Sequence, residues 1–125
     1  MSDNTIFIIE DYDIDYEIIK KEMEENGILN EIKRFKTAEK AVEKLEKGEK
    51  PSIILLDIML PKMDGFGFLK IAKEKDLLDG VRVIVLTKKE EDKNRIDSFK
   101  LGAVGYMNKP FDIYDFISIV RSNAK

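Results

Sequence analysis

The chain has 125 residues, and its 22 Lys and Arg against 25 Asp and Glu give a net charge of −3. That length holds one domain with a core, and the charge makes no electrostatic case for nucleic-acid binding. With no Cys and no His, disulfides, thiol nucleophiles, imidazole bases and thiolate or imidazole metal ligands are excluded.

Residues 5–9 (TIFII) form a short apolar run ending on Glu10 and Asp11. Tyr12, Tyr16, Ile19 and Met23 follow at helical spacing, with Asn26-Gly27 as the stop. Residues 29–35 alternate loosely, as an edge strand does. Thr37 suits the N-cap of a helix whose Ala38, Ala41, Val42 and Leu45 make one stripe up to Gly48. Residues 53–56 read as a buried strand, and Phe68, Leu69 and Ala72 as the next helix. Residues 81–86 (VRVIVL) are another strand, ending at Thr87. Ile96 and Phe99 mark a helix that stops at Gly102. Residues 103–107 are the last strand before Lys109-Pro110, and Ile113, Phe116, Ile117 and Val120 stripe the final helix.

Strand and helix alternate five times. This predicts an α/β doubly wound fold, a parallel sheet with helices on both faces. Without linker or repeat, residues 1–125 read as a single domain. Met1 and the short tail after Val120 suggest a stand-alone chain without an output domain. No apolar run approaches membrane-spanning length and no signal peptide opens the chain, so a cytoplasmic protein is expected.

The strand ends carry the chemistry. Glu10-Asp11, Asp57, Thr87 and Lys109 all fall at or just after carboxyl ends of strands. In an open parallel sheet these share one rim, where ligands bind. Three clustered carboxylates repel unless a cation joins them. Oxygen ligands without His or Cys point to Mg²⁺, or Mn²⁺. Carboxylate, divalent cation, lysine and hydroxyl together read as phosphoryl transfer to an aspartate.

Four segments carry a resemblance: IIEDYD at 8–13, LLDIMLPKMDGFGFL at 55–69, VIVLTKK at 83–89 and LGAVGYMNKPF at 101–111. In this order and at this spacing, the chain resembles the receiver domain of two-component response regulators, and the chemotaxis receiver within it. The resemblance implies a flavodoxin-like sheet in the order 2-1-3-4-5. It implies Asp57 as phosphoacceptor and Glu10 and Asp11 as the pair holding Mg²⁺, with Asp57 and the Met59 backbone carbonyl completing the metal ligands. It implies that Lys109 contacts the phosphoryl group, that Thr87 is the switch hydroxyl, and that Tyr106 follows it. The Lys109-Pro110 bond is expected to be cis. The donor would be a histidine kinase or histidine phosphotransfer protein. The output would be a changed surface on the fourth helix, last strand and fifth helix, read by an effector protein. A signalling switch rather than a metabolic enzyme is expected, a monomer or a phosphorylation-dependent dimer.

Taken singly, these residues have plainer readings. Asp57 alone could cap or turn, Thr87 could be an N-cap, Lys109 a surface lysine and Tyr106 an edge-strand aromatic. Asp13 and Asp64 read as cap and turn residues, and Met59 with Phe66 and Phe68 as packing. The run from Lys88 to Lys93 reads as the solvated start of a helix. Lys88 follows the switch hydroxyl where the family usually has a small residue, so it could lean over the site and prolong the phosphorylated state. Neither Met59 nor Lys89 offers a carboxylate to orient an attacking water. The rival readings are a receiver piece of a longer hybrid kinase or DNA-binding regulator, and a binding module independent of phosphorylation. A dehalogenase-type phosphatase would want an aspartate where Met59 stands.

Overall fold

Strand and helix alternate along the whole chain: β1 (Ile6–Ile9), α1 (Asp13–Glu25), β2 (Ile32–Phe35), α2 (Ala38–Glu46), β3 (Ile53–Asp57), α3 (Gly65–Glu74), β4 (Arg82–Thr87), α4 (Asp92–Lys100), β5 (Gly105–Asn108) and α5 (Ile113–Asn123). This computed structural model describes residues 5–88, 92–109 and 113–123, without the side chains of Asp92 and Ile113. The expected cis bond before Pro110, and Lys89, lie outside the described residues.

The five strands are parallel, in the order β2-β1-β3-β4-β5. Alternate strand residues feed two cores, because successive side chains point to opposite faces. Phe7, Ile9, Ile54, Leu56, Val83 and Val85 meet α2 and α3 through residues such as Leu45, Phe68 and Ala72. Ile6, Ile8, Ile53, Leu55, Ile84 and Leu86 meet Ile19 and Met23 of α1 and Phe116, Ile117 and Val120 of α5. Burial on both faces explains why the central strands read as continuous apolar runs.

The helix ends follow local chemistry. The Thr37 side chain accepts from Lys40 N at 3.3 Å and caps α2, and the Asp64 side chain accepts from Gly67 N at 2.9 Å and caps α3. Asp13 is neither cap nor turn. It is the first residue of α1 and pairs with Arg34 at 2.7 Å and Lys36 at 3.3 Å. These two cations hold its carboxyl below the usual range.

Two apolar expectations change. β2 is shorter than residues 29–35, with Leu29 90% exposed. Edge position lets its N-terminal half leave the ladder. α4 forms where Ile96 and Phe99 predict a helix, yet both are exposed, and its buried side chain among the described residues is Ser98, which donates to Asn94 O.

Candidate phosphoacceptor site

Register brings the distant polar residues together. Ile9 pairs with Leu56, so the next residues, Glu10 and Asp57, leave adjacent strands at the same level. Asp57 pairs with Leu86, and Thr87 with Asn108. Lys109 then follows directly, and its backbone N–H donates to Thr87 O at 2.7 Å. The carboxyl ends of β1, β3, β4 and β5 thus supply one rim.

Glu10, Asp11 and Asp57 each offer a carboxylate oxygen, and the three atoms lie within 4.8 Å of one another. Glu10 and Asp57 are buried, while Asp11 is exposed. The Glu10 backbone is fixed on both sides: its N–H donates to Phe35 O at 3.0 Å, and its carbonyl accepts from Arg34 Nε at 3.1 Å. Met59 N donates to Asp57 Oδ1 at 3.0 Å. That bond puts the Met59 peptide beside the acid. Met59 itself is 52% exposed, so it is not the packing residue its apolar side chain suggests. Phe68 is buried in the core, and Phe66 packs partly against it.

Gly65 lets the loop after Asp57 fold back. Its N–H donates to Ile58 O at 2.8 Å. A Cβ there would stand 2.7 Å from Ile58 Cα and 2.9 Å from Asp57 O. Glycine is required here by close backbone approach.

Lys109 is no surface lysine: its side chain is 7% exposed. Its Nζ donates to Glu10 Oε1, to Asp15 Oδ2 at 2.9 Å and to Asp57 Oδ2 at 3.5 Å. Burial, followed by a hydrogen bond with Asp57, pushes the Glu10 carboxyl up to about 7, although Lys109 pulls the other way. Burial also works against the Lys109 ammonium, but hydrogen bonds to Glu10 and Asp15 and the nearby charges outweigh it and raise its pKa. The carboxylates therefore crowd one another even with a lysine among them. An all-oxygen donor set with surplus negative charge fits Mg²⁺ or Mn²⁺.

Thr87 is fully buried at the end of β4. Tyr106 is half-buried on edge strand β5 and packs partly against the α2–α3 side core. Lys88 extends from the rim toward α1, 3.8 Å from Asp15 Oδ2 and with its ammonium 5.1 Å from the centroid of the Tyr12 ring. Asp15 is the rim residue that the sequence reading missed. Its signal was position: helical side chains lean toward the N-terminus, so an acid in the first turn of α1 leans back toward the rim.

The family described as the response regulator receiver domain matches residues 6–121. The alkaline phosphatase synthesis transcriptional regulatory protein PhoP of Bacillus subtilis (strain 168) is 32% identical over 106 residues, which are 85% of this chain and 42% of that protein. The transcriptional regulatory protein CssR of the same organism is 36% identical over 107 residues, 86% of this chain and 45% of that protein. The chain thus spans less than half the length of these curated relatives. A CheY-like response regulator receiver domain protein from Methanospirillum hungatei JF-1 superposes with a TM-score of 0.82 at 28% identity, covering 97% of this chain and 93% of that one. The receiver domain of the Francisella response regulator 1452 gives a TM-score of 0.81 at 27% identity, covering 96% of this chain and 95% of that one.

Proposed function

The chain belongs to the response regulator receiver domain family, and from that premise we propose that Asp57 is its phosphoacceptor. The observation that carries this reading is the rim itself: the Asp57 carboxylate stands at the end of β3, within 4.8 Å of the Glu10 and Asp11 oxygens and 3.5 Å from Lys109 Nζ. A histidine kinase or histidine phosphotransfer protein supplies the phosphoryl group. An Asp57 oxygen attacks phosphorus, the new P–O bond forms, and the P–N bond to the donor histidine breaks with its electron pair returning to the imidazole. Glu10, Asp11, Asp57 and the Met59 carbonyl would hold Mg²⁺, which supplies charge neutralisation for the phosphoryl oxygens. Lys109 offers an ammonium to the same oxygens, so positioning and electrostatics lower the barrier.

Thr87 then turns its hydroxyl to the phosphoryl group and Tyr106 follows. The surface of α4, β5 and α5 changes, and an effector protein binds one state better than the other; output requires that difference in affinity. The whole chain, residues 1–125, acts as one receiver unit in the cytoplasm without contacting nucleic acid itself. Among the described residues no helix is long and apolar enough to cross a membrane.

Intact mass after incubation with Mg²⁺ and acetyl phosphate tests this. The wild type should gain one phosphoryl group and Asp57→Asn none. No gain in the wild type, with Mg²⁺ binding verified and a histidine-bearing donor also tried, would replace this reading with a binding module independent of phosphorylation.

A further inference from the structure

The three hydrogens of an ammonium can serve three acceptors, and Lys109 Nζ has three carboxylates around it. Asp57 is the most distant, at 3.5 Å, whereas Asp15 accepts at 2.9 Å. A contact of 3.5 Å lies at the weak end of hydrogen bonding. Asp15 reaches in from the first turn of α1 with its side chain 16% exposed, so water screens it less than an ordinary surface acid. The same Oδ2 is 3.8 Å from Lys88 Nζ. One carboxylate therefore draws both Lys109 and Lys88 toward α1. Yet Asp15 is outside the trio of acids whose oxygens converge to hold a cation.

We propose that Asp15 is a positioning residue: it restrains Lys109 in the unphosphorylated protein and must give it up when Asp57 is phosphorylated. The proposal rests on Asp57 being the phosphoacceptor. A phosphoryl group adds oxygen acceptors and roughly two negative charges at the rim. To reach them, Lys109 exchanges an existing acceptor. Asp15 is the one to leave, because it lies outside the acids that converge at the rim and its 2.9 Å bond holds the ammonium on the α1 side, 3.5 Å from Asp57. The Asp15 charge also opposes the arriving anion. Asp15 thus acts as a brake on phosphorylation.

The test compares wild type, Asp15→Asn, Asp15→Glu and Asp13→Asn. Phosphorylation by acetyl phosphate with Mg²⁺ is followed by intact mass, and binding of the phosphoryl mimic beryllium trifluoride by fluorine NMR. Asp15→Asn keeps the shape and removes the charge, so it should be phosphorylated about fivefold faster and bind the mimic about fivefold more tightly, the scale of one partly screened ion pair. Asp15→Glu should restore the slower rate. Asp13→Asn, which lies two residues away but pairs with Arg34 and Lys36, should behave as wild type. Equal or slower phosphorylation of Asp15→Asn overturns the proposal. So does equal acceleration by Asp13→Asn, which would reduce the effect to bulk charge. Thermal melts verify folding, and Asp15→Ser repeats the comparison if Asn disturbs it. A wild type that takes up no phosphoryl group overturns the Asp57 reading and this inference with it. Uptake that is equal in wild type and Asp15→Asn overturns this inference alone.

Discussion

Lys88 follows the buried Thr87 but keeps 61% of its own side chain exposed, with its ammonium near Asp15 and the Tyr12 ring. Its flexible stem lets it leave those weak partners once a phosphoryl group adds negative charge at the rim. Lys88→Ala should then lose the phosphoryl group faster, by about two- to fivefold for one exposed charge. Decay of the phosphorylated mass after removal of the donor measures this, and equal lifetimes would remove Lys88 from the mechanism. Glu10 gives a pH dependence. Its carboxyl is raised from 4.5 to about 7, first by burial and then by its hydrogen bond with Asp57. The folded, metal-free chain prefers the protonated form. The stability from this group is therefore fully present below 4.5 and is lost as pH rises through about 7. A divalent cation favours the ionised form and competes with that proton. Mg²⁺ should raise the melting temperature more at about pH 8 than at about pH 6. A rise independent of pH would show that Glu10 is not coupled to cation binding.

At the scale of elements, the sequence was most legible where one residue type settles the matter. Thr37 before the stripe of Ala38, Ala41, Val42 and Leu45 marked α2, and the structure has that cap and that stripe. The apolar runs before Glu10, Asp57 and Thr87 marked three strands, and β1, β3 and β4 occupy them. The rim residues were legible because all sit at strand ends, which parallel topology collects on one side. Asp15 was not, since its place depends on the direction in which a helical side chain leans. α4 was legible as a helix but not in its burial, because periodicity finds an apolar face without saying what covers it. Gly65 is the element-scale position with the sharpest consequence. Gly65→Ala pushes a Cβ against Ile58 Cα at 2.7 Å, and backbone cannot yield as a side chain does. It should cost about 2–3 kcal/mol in urea denaturation. Gly67→Ala meets only the flexible Met63 side chain at 2.9 Å and the Asp64 side chain at 3.6 Å, and it gains up to about 1 kcal/mol of helix propensity. It should be close to neutral. A near-zero cost for Gly65→Ala would mean that the loop after Asp57 tolerates a Cβ.

For the whole molecule, the sheet is a partition between two cores that share strands but not side chains. Ile9 lies in the core against α2 and α3, and Ile84 in the core against α1 and α5. Their strands, β1 and β4, are separated by β3, and the two side chains fall in different cores. Ile→Val at each removes one buried methylene and should cost about 1 kcal/mol. The double variant should cost the sum within about 0.5 kcal/mol, the tolerance for sites that do not touch. The denaturant slope should stay unchanged and the transition single, because strands common to both layers make the halves unfold together. Urea denaturation of the two single variants and the double variant measures all three quantities. A coupling above about 1 kcal/mol would show that strain passes through β3 from one layer to the other. Any rearrangement at the rim that altered one face would then be felt by helices on the opposite face.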